Sequence, residues 1–362
     1  MSHLVAYITG HGFGHSTRTA AVIAALAARV PELRVTIVST APEALFRLNL
    51  DLPFAYRRQA LDVGVIQHDS LRLDARATLE AVAHQMAAQS ALMAAEAAVL
   101  RRDRADLVLA DIPPAAFPIA RAAGLPAIGL SNFSWDWIYA VYIDDFPEFA
   151  FLLPAIRDAY GQADLFLRLP FHGPCDAFPV IQDIPMVARR ARRPRAEVRR
   201  RLGLDESRRV VLLSFGGFEL AGVDWQAVEA LADFQFVATQ PLPRRLRNVR
   251  RLDLDGCRYE DVIGQADAVI TKPGYGIVSD CLANRVPLLY TSRGTFPEYA
   301  PLVDGLTRWG VARFIANDEL LAGRWREPLN ALLDMPPTWA DISTDGANEA
   351  ARLLAGFLAQ RS

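Results

Sequence analysis

The sequence is almost without lysine: among its 39 basic residues Lys272 is the single lysine, and arginine supplies the rest. The bias reflects codon composition, which makes the exception informative. Cysteine is scarce as well. Cys175, Cys257 and Cys281 are odd in number and widely spaced, so neither a disulfide framework nor a zinc cluster is expected, and all three read as reduced fillers. No uncharged apolar run approaches the ~20 residues that cross a bilayer, and no basic segment with a signal-type apolar core stands near the start. A cytoplasmic protein without a transmembrane segment is the expectation. Net charge is also missing: 41 acidic residues against 39 basic ones leave −2, which gives no global pull toward nucleic acid or an anionic membrane. Any anion site must be local.

What is present is an alternating α/β pattern. A chain of 362 residues exceeds one ordinary core, and 52% hydrophobic with 22% charged residues is a globular composition, so two domains are expected. Apolar runs bounded by turn residues alternate with amphipathic stretches, the pattern of parallel sheets covered by helices. Strands are predicted at Leu4–Thr9, Arg34–Ser39, Leu107–Ala110, Ala127–Leu130 and Asp164–Leu169, with one or two helices over Leu71–Arg102. A second series follows at Val210–Ser214, Phe234–Ala238, Val249–Leu252, Ala268–Thr271 and Pro287–Tyr290. Between the series, residues 183–209 carry ten arginines, either a polyanion-binding arm or a solvated face. The division expected is 1–184 and 185–344, with an amphipathic helix from Asn348 to Leu358 inside the remaining 345–362. Doubly wound sheets bind ligands beyond the carboxyl ends of their strands. Two such domains facing across a cleft would share a site there.

The stretch "LVAYITGHGFGHSTRTAAVIAALAARV", residues 4–30, is the first motif. A strand ends in Gly10, Gly12 and Gly14, and a helix is expected to start near Ser16, so loop amides and the helix's positive end make an anion cradle. The spacing is neither the dinucleotide fingerprint nor a phosphate loop. His15 at the mouth of this cradle is a candidate general base. His11 either joins it or only hydrogen-bonds the turn. Asp111, directly after the strand "LVLA", either orients His15 or caps a turn before Pro113 and Pro114. Beyond another strand end, "SNFSWDWIYAVYIDDFPE" offers Asn132, Trp135, Asp136 and Trp137, as an acceptor wall or as core.

In the second series "LLSFGGFEL" places Gly216 and Gly217 where backbone amides can hold a diphosphate. "ADAVITKPGYGIVSDCLANRVPLLY" runs from a strand through Lys272, Pro273, Gly274, Tyr275 and Gly276 into a helix carrying Ser279 and Asp280. A compact ammonium suits phosphate as a point charge, and a carboxylate two turns in can accept both hydroxyls of a ribose. Arg293, Glu298 and Tyr299 follow the next strand, Glu298 as a candidate sugar contact. Asp253 and Asp255 form Asp-x-Asp without a third ligand nearby and read as a solvated loop, so no metal is expected.

These stretches resemble a family. "YITGHGFGHSTR", "SNFSWDWIYAVY", "FLRLPF", the "SFGG" loop and "KPGYGIVSDCLANRVPLLY" are similar to GT-B-type glycosyltransferases, closest to the glycosyltransferase-like amino-terminal region of L-arabinokinases. More distant is a similarity to the peptidoglycan N-acetylglucosaminyltransferases, whose glycine-rich loop ends in a histidine matched by His15 and whose nucleotide site is matched by Gly274 and Asp280. Asp280 stands where glutamate is usual, shorter by one methylene. The resemblance implies a GT-B-like fold of two Rossmann-like domains, with the final helix packing back on the first. It implies hexosyl or N-acetylhexosaminyl transfer from a nucleotide-diphosphate sugar, with uridine as the expected base, to an acceptor hydroxyl. That chemistry is metal-independent and inverting, uses no cofactor beyond the donor, and names no acceptor. It implies His15 with Asp111 in catalysis and Gly14, Gly216, Gly217, Lys272, Gly274, Tyr275, Gly276, Asp280 and Glu298 on the donor. His11, Asn132, Trp135 and Asp136 fall on the acceptor side. Two alternatives remain open, a nucleotide-sugar epimerase of the same fold and a nucleotide-sugar-binding module without chemistry.

Overall fold

The computed structural model describes residues 2–69, 71–216, 220–239, 242–254 and 256–360. The chain forms two units, one of Met1–Ile66, Asp74–Val187 and Ser343–Ser362, the other of Gln67–Leu73 and Ala188–Ile342. Among the described residues no helix is long and apolar enough to cross a membrane.

In the first unit the strands are β1 (His3–Ile8), β2 (Arg34–Ser39), β3 (Ala55–Arg58), β4 (Leu107–Asp111), β5 (Ala127–Ser131), β6 (Leu165–Arg168) and β7 (Ile181–Asp183). The helices between them are α1 (Phe13–Arg29), α2 (Glu43–Asn49), α3 (Ala75–Arg102), α4 (Ala116–Ala123), α5 (Trp135–Ile143) and α6 (Leu152–Tyr160). The sheet runs β3-β2-β1-β4-β5-β6-β7 with every pairing parallel. Its central strands β1, β4 and β5 are buried along their whole length, which is why they read as unbroken apolar runs. The two strands absent from the sequence reading, β3 ("AYRR") and β7 ("IQD"), are the sheet edges, half covered and polar.

The stretch after residue 71 is one helix of 28 residues, whose start is fixed by the Asp74 carboxylate accepting from the Ala77 N–H at 2.9 Å. Its one buried charge, Glu96, is satisfied on both oxygens by Arg57 at 2.7 Å, and Tyr7 Oη donates to it at 2.9 Å. That network ties β1, β3 and α3 together.

The second unit holds β8 (Arg209–Ser214), β9 (Phe234–Ala238), β10 (Val249–Arg251), β11 (Ala268–Thr271), β12 (Leu288–Tyr290) and β13 (Ala312–Phe314). They form a parallel sheet ordered β10-β9-β8-β11-β12-β13. Its helices are α7 (Arg195–Arg201), α8 (Trp225–Glu229), α9 (Tyr259–Gln265), α10 (Tyr275–Asn284), α11 (Tyr299–Trp309), α12 (Asn317–Leu321) and α13 (Arg326–Leu333). Phe215, Phe234, Phe236 and Trp325 anchor one of its apolar cores. β13 is the edge strand that the sequence did not reveal, for the same reason as β3 and β7.

The arginines of residues 183–209 are neither a free arm nor uniformly solvated. Arg199 is buried, donating to the Gln265 carbonyl and to Asp267, and Arg189 is half-buried between Asp280 and Glu260. Helix α14 (Gly346–Ala359) lies along α1 in the first unit and buries Ala350, Ala351, Leu354 and Leu358. Its start is pinned where the Gly346 N–H donates to the Met186 carbonyl at 3.2 Å, and a Cβ at Gly346 would stand 2.0 Å from the Pro185 carbonyl oxygen. Gly346→Ala should therefore lower the thermal midpoint by several degrees, at about 2–4 °C per kcal/mol in a unit of this size. An unchanged melting curve would show that the chain gives way there at no cost.

Candidate functional site

Both sheets reverse their strand order once, between β1 and β4 in the first unit and between β8 and β11 in the second. Loops leaving the carboxyl ends of such a strand pair diverge to opposite sides and open a crevice, the usual ligand site of a doubly wound sheet. In each unit the loops at that point carry the motifs singled out in the sequence.

In the first unit Ile8 pairs with Asp111 in register, and the Thr9 N–H donates to the Asp111 carbonyl at 2.8 Å. The glycine loop therefore leaves β1 beside the end of β4. Gly12 takes φ +79°, a left-handed conformation that glycine adopts without strain, and α1 begins at Phe13, three residues earlier than expected. His15 thus lies in the first turn of α1. Its Nδ1 sits 2.7 Å from Asp111 Oδ1, with Asp111 wholly buried and His15 nearly so. Phe133 meets the imidazole edge-on, ring centroids 5.4 Å apart.

The structure adds a residue that sequence reasoning passed over. Arg18 grips the same carboxylate with two nitrogens, Nε to Oδ2 at 2.8 Å and Nη2 to Oδ1 at 2.6 Å. Its other donors reach Asn132 Oδ1 at 2.8 Å and Ser131 Oγ at 2.9 Å, and Thr19 Oγ1 donates to Asp111 Oδ2 at 2.7 Å. The signal was available: positions 15, 18 and 19 share one face of a helix. Burial by itself would raise the Asp111 carboxyl, but Arg18 and then His15 overcome it and hold the group well below the usual carboxylate range. Asp111 is therefore ionised, and its Oδ1, 2.7 Å from Nδ1, is an acceptor for a proton there. Arg18 Nη2 lies 2.9 Å from the same nitrogen. A neutral imidazole carrying its proton on Nδ1 would keep its lone pair on Nε2, the form a general base needs.

The residues expected on the acceptor side sit deeper than that role requires. Asn132 is wholly buried and braces Arg18. Trp135 is wholly buried, stacked on Tyr139, with Nε1 donating to Asp62 Oδ2 at 2.9 Å. Asp136 is buried and accepts from Arg157 Nε at 3.1 Å. These three side chains are buried in the floor of the loop. His11 is half-buried, its Nδ1 accepting from the Val65 N–H at 3.2 Å and its ring edge-on to Trp135. Asp62 is a further residue that the sequence did not flag. Desolvation pushes its carboxyl up to about 6 against hydrogen bonds from Thr9 and Trp135.

In the second unit Gly216 follows β8 with φ +70°. Gly217 lies outside the described residues. Gly274 is the N-cap of α10 in extended backbone, and Tyr275 and Gly276 form the helix's first turn. Lys272, between β11 and this helix, is half-buried and donates from Nζ to Gln67 Oε1 at 3.2 Å. Desolvation, and then the charge of Arg293, push its ammonium down to about 7, with Asp69 opposing. Arg293 pairs with Glu298 at 2.6 Å and covers the Phe296 ring.

Asp280 departs from the role expected of it. It is 2% exposed, and both its oxygens accept from Arg189, Oδ1 from the backbone N–H at 2.8 Å and Oδ2 from Nε at 3.1 Å and Nη2 at 2.5 Å. Asn284 and Asp261 continue the pattern, accepting from the N–H groups of Ala191, Arg192 and Arg193. Here the Asp280 carboxylate anchors the segment that opens the second unit, with no oxygen turned to a ribose. Among the described residues no group of three or more histidine, cysteine or acidic side chains is arranged to hold a metal ion, and Asp255 of the Asp-x-Asp pair lies outside them.

No protein-family model matches the chain. It is 32% identical over 358 residues to L-arabinokinase of Arabidopsis thaliana, covering 96% of this chain and 34% of that protein. The chain therefore spans about a third of that relative's length. Among solved structures, the glycosyltransferase of kitacinnamycin superposes with a TM-score of 0.62 at 19% identity, covering 99% of this chain and 97% of the other. The fold is GT-B. Other neighbours of the GT-B chain include Phytolacca americana UGT2 complexed with UDP-2-fluoro-glucose and pterostilbene, with a TM-score of 0.60 at 13% identity over 98% and 94% of the chains. A protein of Listeria monocytogenes named a "putative UDP-N-acetylglucosamine 2-epimerase" matches with a TM-score of 0.61 at 15% identity over 100% and 96%. The resemblance to L-arabinokinases read from the motifs thus extends over nearly the whole GT-B chain, while the solved neighbours carry names of more than one activity.

Two outcomes follow from the Asp111 cluster. Arg18→Leu leaves a buried carboxylate without its cation and should cost about 3–5 kcal/mol of unfolding free energy in denaturant titration. Asp111 has its carboxyl held low in the folded state, so its contribution is complete above pH ~4 and is lost as pH falls below that value. The difference in thermal midpoint between the parent and Asp111→Asn should accordingly be largest at neutral pH and shrink below pH ~4; a gap independent of pH would rule out the charged assignment.

Proposed function

We propose that the chain binds a nucleotide-diphosphate sugar, with uridine as the expected base, and transfers the sugar to an acceptor hydroxyl with inversion and without a metal. The observation that carries this reading is the His15–Asp111 contact, 2.7 Å long and braced by Arg18, at the strand-order reversal of the first sheet. Asp111 orients the imidazole and stabilises its protonated form, Arg18 fixes Asp111, and His15 Nε2 removes the acceptor's proton as the new bond forms. General-base assistance of this kind contributes about 10²–10⁴-fold.

The departing group is a nucleoside diphosphate, on which negative charge grows in the transition state. Lys272, Arg293 and the amides of Gly216, Gly274 and Gly276 are the donors for that charge, and fixed donors lower the barrier because they need no reorganisation. The positive end of α10 adds to them. Glu298, held by Arg293, is a candidate for the donor sugar's hydroxyls. With Asp280 engaged by Arg189, the ribose is left to other groups or to an exchange of partners.

The first test is a thermal-shift panel of nucleotides and nucleotide sugars, since a ligand at 100-fold its dissociation constant adds about 2.7 kcal/mol. A selective shift by one nucleoside diphosphate and its sugars, lost in Lys272→Ala, is the expected outcome. With the donor so identified, His15→Ala should lower turnover by at least about 10²-fold with little change in donor affinity. An epimer formed from donor alone would assign the chain to the epimerases. Tight nucleotide binding, no turnover with any acceptor and an inert His15→Ala would assign it to binding modules.

A further inference from the structure

Helix α3 is buried toward each end, at Thr78, Leu79 and Val82 and again at Glu96, Ala97 and Leu100. Between those stretches the stripe that continues from Val82 through Gln85, Met86 and Gln89 borders a cavity of about 40 Å³. Trp135 and Tyr139 of α5 and Ile156 of α6 give it apolar walls, and Asp62, from the loop after β3, adds a carboxyl group. All of these residues belong to the first unit.

The polar groups of the wall share one character. Gln85 and Gln89 stand where a helix packed on a core carries apolar residues, and among the described residues neither amide has a hydrogen-bond partner. Asp62 accepts from Trp135 Nε1 at 2.9 Å and from Thr9, which leaves an ionised carboxylate with capacity for further donors. No described arginine or lysine pairs with it, and the charge that bears on it is Asp111 at the end of β4, of the same sign. Tyr139 on α5 and Tyr160 on α6 also face it, their hydroxyls pushed well above the ordinary value by burial and therefore neutral. His11, from the loop after β1, meets Trp135 edge-on. From α3 and α4 no titratable side chain lines the cavity. Desolvation thus dominates and the carboxyl stands at about 6, so at neutral pH it carries a negative charge that burial penalises.

We propose that this cavity is a binding site for a small organic ammonium ion, its charge set on Asp62 and its apolar body against Met86, Ile156 and the stacked rings of Trp135 and Tyr139. The carboxylate and the two glutamine carbonyl groups are acceptors suited to an ammonium's N–H donors, and aromatic rings attract a cation as well as apolar surface. Size limits the ligand. A single water needs roughly 10–15 Å³ and benzene fills a cavity of ~150 Å³, so this one admits an ammonium with a short alkyl chain and no ring. His15 is not in the wall and connects to it only through the ring contacts of Phe133 and Trp135. The proposal therefore goes beyond the transferase reading, and its test needs neither donor nor acceptor.

The probe is n-propylammonium, with 1-propanol as the neutral molecule of the same shape. The indole N–H resonance of Trp135, which donates to Asp62, reports binding and titration together. At pH 7 n-propylammonium should bind saturably and at least about tenfold more tightly than 1-propanol. Because it binds the ionised carboxylate, saturation should lower the Asp62 midpoint from about 6. Its affinity should be complete above that midpoint and fall roughly five- to tenfold between pH 7 and pH 5, a range in which an alkylammonium keeps its charge. In Asp62→Asn the two probes should bind alike at every pH; a pH dependence that persists there would belong to His11 or His15 and would overturn the proposal. Ala159→Leu, which adds bulk to the wall without touching the carboxyl, should weaken n-propylammonium while leaving the midpoint near 6. No saturable binding, equal binding of the two probes by the parent, or undiminished affinity in Asp62→Asn would each overturn the proposal. Should that variant fail to fold, undiminished affinity in Ala159→Leu would do so.

Discussion

The first unit is organised around one buried ion cluster. Asp111 ends the strand beside β1 and is completely removed from solvent, a position in which a lone carboxylate is strongly disfavoured. Arg18 makes it tolerable, and in doing so fixes the rotation of α1 about its axis, because Arg18, His15 and Thr19 must all reach the same two oxygens. Ser131 and Asn132 at the end of β5 complete the shell through Arg18. Three adjacent strand ends are thereby joined by side chains where the sheet reverses its order. The orientation of His15 is a consequence of this charge being satisfied.

The second unit solves a different problem. Asp280, Glu260 and Asp261 are directed to the segment from Arg189 to Arg193, and Arg293 is paired with Glu298. The acidic residues near α10 thus fasten the chain. Burial lowers the affinity of Lys272 for its proton, because exclusion of water disfavours the charged form.

The GT-B architecture does not by itself select a reaction. Its solved neighbours carry names of both a glycosyltransferase and a nucleotide-sugar epimerase, and one fold can host unrelated reactions. The similarity to L-arabinokinase spans nearly all of this chain but a third of that protein, so it bears on the fold more than on a reaction.

The sequence by itself determined the elements that are buried on both faces or marked by glycine. The central strands were legible because their runs are continuous and apolar, and glycines marked the approach to the helices, but the sequence left open whether Asp111 meets His15 or caps a turn, and the structure brings the two within 2.7 Å. The edge strands β3, β7 and β13 were not legible, since a half-covered strand has no pattern that a polar loop lacks. Tertiary structure alone decided which polar residues face inward. Asn132, Trp135 and Asp136 carry the composition of a binding wall yet lie under the surface, and Asp280 has the spacing of a ribose ligand yet spends its oxygens on Arg189. Arg18 gained its role from a partner 93 residues away in the chain. Periodicity reports the side on which a residue lies. The partner it meets depends on long-range chain closure, which local composition does not encode.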